Sequence, residues 1–509
     1  MKRAIYILCI CLSIFMILGC DKNASSKYPT IEYGIAKFSG KITAEDSTSM
    51  PKLEDMEFFV MNNILAEFKQ YKIAINTDGT FSIEVPVISD AWTELYSKFL
   101  KIIIPLSPND ETILNIHFDK NGERHVSMQS ISGYAAHDMI SIKEAIHITT
   151  RNYKTYPDSA DYNMSPEEFK SFISNRISRI PNFIDSIKPD MPDSIKRLTI
   201  NELQIFYTYA NLFDYTRIMQ RTHDIYVSSM DTTVVIEPLN IQEPNRAYYS
   251  FLKDLNLNDP AYLSTSWYCS ILAQIFKTEA LNIAPIGDQN PNEWMKDTSE
   301  KLKDLVGFDS GLFYDMLLSN SYARQLKSMT PFSDIQKTNI KTYFEQQPAV
   351  STILLAENEE IMTILNKKNT GYNINETPDV SEDKIIESIV ARYPNKVVFI
   401  DFWATWCAPC LKGMKEIEPL KKKLKDSDIV FVYITNESSP QKLWREKIAE
   451  IGSEHYYLKD EIWESISEKF KFDGIPAYLI YDKNGKLAHQ QVGMMKAEKA
   501  ESITTKLVK

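Results

Sequence analysis

The chain has 509 residues, a formal net charge of −11 and 44% hydrophobic content. That length exceeds what one core supports, so about three structural units are expected. An acidic chain with no basic stripe offers no footing for nucleic acid, which is excluded as a partner.

Lys2 and Arg3 precede an apolar run from Ala4 to Leu18, followed by Gly19-Cys20. Fifteen residues at about 1.5 Å each cover only about 22 Å of a roughly 30 Å hydrocarbon core, so a signal peptide is expected rather than a permanent span. Gly19 before Cys20 resembles the bacterial lipobox, in which the cysteine is lipidated and becomes the new N-terminus. The resemblance implies a signal peptide over 1–19, a lipidated tether over 20–27 and attachment to the membrane through a lipid anchor. The location implied is the cell envelope of a Gram-negative-type bacterium, facing the periplasm. A plain cleaved secretory signal is the alternative. Acyl chains at about 0.8 kcal/mol per buried CH₂ hold a protein to a membrane when two or three act together.

Of six cysteines, Cys9 and Cys11 leave with the signal and Cys20 is taken by lipid, so the mature body keeps Cys269, Cys407 and Cys410. Three thiols cannot build a structural disulfide framework in so large a body.

Residues 28–130 read as strands, and a small β-sandwich is expected. Ile73-Ala74-Ile75 and Phe81 to Val85 alternate around Asp78-Gly79, a hairpin signal. Asp119-Lys120-Asn121-Gly122 marks another turn, and Met56 to Val60 and Ile102 to Ile104 add β-rich pieces. Residues 131–368 change to helical periods, so a central all-α domain is expected. Ser165 can cap a helix and Pro166 suits its first turn. Phe169, Phe172, Ile173, Ile177, Ile180, Ile184 and Ile187 follow on one face, with a kink expected at Pro181. Breaks near Pro189, Pro260, Pro291 and Pro331 divide the region further. Cys269, between aromatic neighbours, reads as a buried inert thiol, the alternative being a third redox partner.

Residues 366–383 are polar and read as a linker into a C-terminal α/β domain over 369–509. A helix candidate spans Lys384 to Arg392, and the run Val397 to Trp403 is apolar and β-rich, as a central strand should be. It leads into Ala404-Thr405-Trp406-Cys407-Ala408-Pro409-Cys410, after which Leu411, Met414, Ile417, Leu420 and Leu424 recur at helical spacing. The cysteines therefore sit where a strand hands over to a helix N-terminus. The free N–H groups and dipole there stabilise an anion, which favours Cys407 as the attacking thiolate. Cys410, three residues on and inside the helix, suits the resolving role. A half zinc site and a structural disulfide compete with this reading. Zinc needs four ligands, and His455 and His489 are isolated, so no metal is expected.

Phe402-Trp403-Ala404-Thr405-Trp406-Cys407-Ala408-Pro409-Cys410, with Gly474-Ile475-Pro476 downstream, resembles the thioredoxin superfamily over about a quarter of the chain. The exported setting narrows the resemblance to TlpA/ResA-like envelope thiol-disulfide oxidoreductases of the lipoprotein kind, with N-terminal accessory domains. It implies a C-terminal thioredoxin fold, no cofactor, and catalytic roles for Cys407, Cys410, Asp401 and Pro476. Ile475-Pro476 would be a cis bond facing the disulfide, with Trp406 and Ile475 contacting substrate. Asp401, six residues before the first cysteine, matches a buried aspartate that exchanges protons with the resolving thiol. A solvated carboxylate at the strand end is the plainer alternative. Two departures stand out: the strand Ile429 to Thr435 lacks the family's lysine, and Pro419 falls nine residues after Cys410 instead of five.

A strand at Ile429 to Ile434, helices marked by Leu443, Trp444, Ile448 and Ile451 and by Ile462, Ile466 and Phe470, a hairpin from Ala477 to Val492 and a last helix over Ala497 to Val508 complete the expected domain. The leading expectation is a protein-disulfide reductase acting on disulfide-containing envelope proteins and reset by a membrane electron donor. A disulfide oxidase or isomerase is the second reading. The third is a partner-binding envelope lipoprotein whose redox module is accessory.

Overall fold

The computed structural model describes residues 31–46, 50–130, 133–230, 239, 241–367 and 371–509. The expected signal peptide, Cys20 and the tether lie outside the described residues. The chain divides into two compact units, one of residues 1–323 and 333–354 and the other of 324–332 and 355–509.

The first unit opens with eight strands: β1 (Gly34–Ala44), β2 (Met56–Asn62), β3 (Glu67–Ile73), β4 (Thr80–Val87), β5 (Ala91–Tyr96), β6 (Lys101–Leu106), β7 (Glu111–Phe118) and β8 (Arg124–Gln129). They form two four-stranded sheets, ordered β4-β1-β7-β8 and β3-β2-β5-β6. Phe38 of β1 meets Phe58 of β2 edge to face at 6.0 Å, so apolar side chains of the two sheets touch directly. The expected hairpin around Asp78-Gly79 is not one. β3 pairs with β2, whereas β4 pairs with β1, so this turn passes the chain from one sheet to the other. Alternating strands on both sides of Asp-Gly satisfy a sheet crossing as well as a hairpin, because both need the same turn and the same one-sided burial. Gly79 has φ +83° there, and a Cβ would fall 2.1 Å from the carbonyl oxygen of Ile42. Asp119 to Gly122 does close an antiparallel pair, β7 with β8.

Helices follow: α1 (Ala136–Asn152), α2 (Pro166–Ser178), α3 (Ile180–Ile187), α4 (Asp193–Tyr207), α5 (Tyr215–Ser228), α6 (Tyr268–Lys277), α7 (Pro291–Val306), α8 (Leu312–Lys327), α9 (Asp334–Tyr343) and α10 (Pro348–Asn366). Ser165 caps α2 and forms a reciprocal box with Glu168. The kink expected at Pro181 is a full break. Proline lacks the N–H that continuation requires, and Pro181 instead occupies the first turn of α3, where no donor is needed. Cys269 in α6 is 4% exposed, with its Sγ 3.2 Å from the Met61 sulfur, in keeping with an inert packed thiol.

The second unit contains a six-stranded sheet ordered β14-β13-β10-β11-β12-β9. Its strands are β9 (Tyr372–Asn375), β10 (Val397–Phe402), β11 (Ile429–Asn436), β12 (Ser453–Leu458), β13 (Ala477–Tyr481) and β14 (Leu487–Val492). The stretch expected as a linker thus contains an edge strand, β9, paired in parallel with β12. The helices are α11 (Ile385–Ala391), α12 (Ala408–Lys423), α13 (Gln441–Ile451), α14 (Asp460–Lys469) and α15 (Ala497–Val508). All six residues of β10 are buried. Strand alternation sends Val397 and Phe399 into one cluster with Trp403, Cys407, Cys410, Tyr433 and Tyr478. Val398, Ile400 and Phe402 enter the opposite cluster with Ile389 of α11 and Ile466 of α14. Each such large apolar side chain contributes about 1.5–3 kcal/mol by leaving water. Among the described residues, no helix is long and apolar enough to cross a membrane.

In the first unit, buried amides tie sheet to helix. Asn320 of α8 donates from Nδ2 to the carbonyls of Asn63 at 2.7 Å and Ile64 at 3.2 Å, and Asn63 donates to Leu263 at 2.7 Å. Asn320→Ala should lower stability by about 1–3 kcal/mol, because two buried carbonyls lose their donor. Urea unfolding measures this, and an unchanged midpoint would show the tie to be immaterial.

Candidate active site

β10 ends at Phe402, and the chain turns through 403–406 before α12 begins at Ala408. Cys407 is the N-cap of α12, and its Sγ accepts the Cys410 amide at 3.2 Å. Cys407 and Cys410 are joined as a disulfide with Cα atoms 5.3 Å apart. Pro409 in the first turn suits a helix start, since its missing N–H would have no intrahelical acceptor. Cys407 is 3% exposed and Cys410 is fully buried, whereas Trp406 is 62% exposed. Of the two sulfur-bearing residues, Cys407 alone keeps a trace of exposure, next in sequence to an exposed indole.

The loop is pinned by a serine turn that the sequence reading missed. The Thr405 amide donates to Ser439 Oγ at 3.0 Å, and Ser439 Oγ lies 2.7 Å from Thr435 Oγ1. Trp406 Nε1 donates to Ser438 Oγ at 3.1 Å, and Ser438 donates to Asn436 Oδ1 at 2.6 Å. Ser438-Ser439-Pro440 directly after an apolar strand was the available signal, a polar turn leading into α13.

Ile475-Pro476 is a cis peptide bond. Pro476 is buried, and Ile475 is half-buried and packs against the cluster holding both cysteines. The Pro476 carbonyl accepts the Gly493 amide at 2.8 Å. Pro419 lies inside α12 on its exposed side, and the helix continues through it to Lys423.

Asp401 is 1% exposed, which removes the solvated-carboxylate alternative. By alternation it faces the same side of the sheet as Phe399 and the cysteine cluster. It stands directly opposite Tyr433 on β11 and Tyr478 on β13. Its Oδ1 has no hydrogen-bond partner among the described residues, and burial pushes its pKa well above the ordinary 3.8. Tyr433 in turn pairs with His455 on β12, and their rings stack at 5.3 Å. His455 Nε2 lies 2.9 Å from the Gly452 carbonyl, so that nitrogen carries the proton, and burial brings the ring's pKa down to about 3. Strand β11 has no lysine, but a cation reaches this row from the helix: Lys421 Nζ sits 5.1 Å over the Tyr433 ring. The tyrosines and histidine were invisible as a group because only strand pairing brings them together.

Among the described residues, one cluster, Asp119, Glu123 and His125, could gather metal-ligating atoms. It lies at the β7–β8 turn, where Asp119 Oδ1 already accepts the amides of Asn121 at 2.9 Å and Glu123 at 2.8 Å.

A buried carboxyl with a raised pKa keeps a proton in the folded chain that the unfolded chain releases. Its contribution to stability is full below 3.8 and is lost as pH rises through the raised value. Asp401→Asn in the disulfide form should therefore make the protein more resistant to urea at alkaline pH and flatten the decline seen in the parent. Urea midpoints on either side of neutrality test this, and parallel pH dependences for parent and variant would refute it.

Residues 375–507 match the family model described as Redoxin. The segment is 30% identical over 118 residues to the thiol-disulfide oxidoreductase ResA of Geobacillus kaustophilus, covering 23% of this chain and 65% of that protein. It is 29% identical over 102 residues to the thiol-disulfide oxidoreductase YkuV of Bacillus subtilis, covering 19% of this chain and 68% of that one. The chain thus spans about two thirds of the relatives it matches. Among solved structures, it is similar to the thioredoxin domain of thiol-disulfide oxidoreductase BVU-2223 from Bacteroides vulgatus, at 19% identity, 23% of this chain, 84% of that one and a TM-score of 0.21. A putative thiol:disulfide interchange protein DsbE from Chlorobium tepidum aligns at 22% identity over 24% of this chain and 85% of its own, with a TM-score of 0.21. The C-terminal part of this chain, residues 375–507, thus matches a Redoxin domain.

Proposed function

We propose that the chain is an envelope thiol-disulfide oxidoreductase that reduces disulfides of exported proteins through Cys407 and Cys410. The observation that carries this reading is the placement of the pair: Cys407 at the N-cap of α12 with the Cys410 amide aimed at its sulfur. The same N–H and the helix dipole stabilise Cys407 as a thiolate after reduction. That thiolate attacks a substrate disulfide, forming a mixed disulfide and releasing one substrate thiolate. Cys410 then attacks Cys407 Sγ, closing the internal disulfide and releasing the second. The proton leaving Cys410 goes to Asp401, which shares the buried face of the sheet with it.

The reductive direction rests on the expected lipid anchor at Cys20. A chain tethered facing the periplasm is held beside any electron donor in the bilayer, and such a donor would return two electrons to the pair. Trp406 and Ile475 form the apolar rim that a protein substrate meets, and Pro476 lines the site with them.

The equilibrium reduction potential of the pair, measured against glutathione or dithiothreitol, should fall near thioredoxin's value of about −270 mV. A value near −120 mV, as in the strong oxidant DsbA, would reverse the direction proposed here. Cys407→Ser with Cys410→Ser should abolish disulfide exchange, and a cellular phenotype untouched by that pair would favour a partner-binding role. Trp406→Ala should weaken turnover of a protein disulfide by about 10-fold while leaving a small aromatic disulfide nearly unaffected, consistent with about 1–2 kcal/mol from one rim contact. Equal losses on both substrates would remove Trp406 from substrate contact.

A further inference from the structure

The parallel strands β10, β11 and β12 end at one edge of the sheet, with Phe402 of β10 level with Ile434 of β11 and Asn436 of β11 level with Leu458 of β12. The segments leaving that edge carry Trp406 after β10, Ser438 after β11 and Asp460, the first residue of α14, after β12. Hydrogen bonds join them in a line. Trp406 Nε1 donates to Ser438 Oγ at 3.1 Å, Ser438 Oγ donates to Asn436 Oδ1 at 2.6 Å, and Asn436 Nδ2 donates to Asp460 Oδ1 at 2.7 Å. The ends of the line force its direction. An indole N–H only donates and a carboxylate only accepts, so the Asn436 amide turns its nitrogen to Asp460 and its oxygen to Ser438, and the serine hydroxyl has one arrangement that serves both neighbours. The bond to the carboxylate is the strong one, since charged acceptors make hydrogen bonds roughly twice as strong as neutral ones. Glu437 Oε2 accepts the Asp460 amide at 3.2 Å, which ties the start of α14 to the same turn. Asn436 is buried and Trp406 is 62% exposed, so a residue inside the sheet edge reaches through Ser438 to an indole standing in solvent.

We propose that Asn436 is a positioning residue for recognition of a protein disulfide: its amide, fixed by Asp460, holds Ser438 and through it sets the Trp406 indole in the orientation that meets substrate beside Cys407. This rests on the reading that Cys407 and Cys410 exchange disulfides with Trp406 at the rim. A free surface tryptophan must have its side-chain torsions fixed when a partner lands on it, and that ordering is subtracted from the binding free energy. An indole already held at Nε1 loses less. Its single polar atom is also spent on Ser438, so what it offers a partner is aromatic surface, suited to apolar side chains flanking the substrate's cysteine. The side chain of Asn436 is bonded to Ser438 and Asp460, so its effect falls on substrate binding and not on the exchange between sulfurs.

The test is steady-state reduction of insulin, as the protein disulfide, by the full-length protein with dithiothreitol resetting the pair. Asn436→Ala should raise KM about 5-fold at unchanged kcat, the worth of roughly one net hydrogen bond. Ser438→Ala, at an exposed position, should raise KM to the same extent, and it carries the test should Asn436→Ala fold poorly. Asp460→Ala should join them, whereas Asp460→Asn, which keeps an acceptor oxygen for the Asn436 amide, should recover most of that loss. In a Trp406→Ala background, neither Asn436→Ala nor Ser438→Ala should add to the defect, because the indole through which both act is gone. Parent-like KM values in both single variants, or losses that persist undiminished in the Trp406→Ala background, would overturn the role of Asn436 while leaving the dithiol reading intact. A parent protein that reduces no disulfide would overturn both.

Discussion

The burial of β10 is the constraint on which the rest of the C-terminal unit depends. All six of its residues are out of water, with parallel β11 on one side and antiparallel β13 on the other. A strand buried on both faces must carry apolar groups in both directions, and this one does so at five of six positions. The exception, Asp401, faces by alternation the side of the sheet that carries the cysteine cluster. The strand's end then fixes where the chain leaves the sheet, and so where α12 begins. Moving the register by one residue would send Asp401 to the opposite cluster and Ile400 toward the cysteines.

That arrangement trades stability for chemistry. Buried polar atoms are normally paired, and each orphan costs about 1–3 kcal/mol. In the second unit, Asp401 Oδ1, Trp403 Nε1, Thr405 Oγ1, His455 Nδ1 and Tyr478 Oη are all buried without a hydrogen-bond partner among the described residues. All five belong to β10, the loop it feeds, or β13 and β12, which lie one and two places from it in the sheet. In the first unit, Asn63 and Asn320 spend their side-chain nitrogens on backbone carbonyls, while their Oδ1 atoms are likewise buried without a hydrogen-bond partner among the described residues.

Much of the redox unit was legible in the sequence because its signals are local. An apolar run, a Cys-x-x-Cys and a helical period follow within thirty residues, and each names its own element. What the sequence withheld depends on pairing between distant strands. Asp78-Gly79 carried a genuine turn signal but could not say that β4 would pair with β1 and β3 with β2, since sheet membership is decided by partners far along the chain. β9 lay hidden in a polar stretch because an edge strand of four residues needs few apolar side chains. Tyr433, Tyr478 and His455 sit 22 to 45 residues apart in order and become neighbours only in one register.

The two sulfurs divide the remaining problem between surface and interior. Cys410 is sealed by α12 and the sheet, so whatever reaches it must first be bound to Cys407. On the proposed mechanism, chemistry at Cys410 would be indifferent to the size of the substrate, since only Cys407's sulfur would enter its surroundings. On the function proposed, selection among substrates would fall to Trp406, held by Ser438, and Ile475, packed against the cysteine cluster beside the buried Pro476. On that reading, substitutions at the rim would alter which disulfide is accepted while leaving the buried Asp401 and the dithiol in place. A fold that separates the two in this way can change its substrates while keeping one buried mechanism.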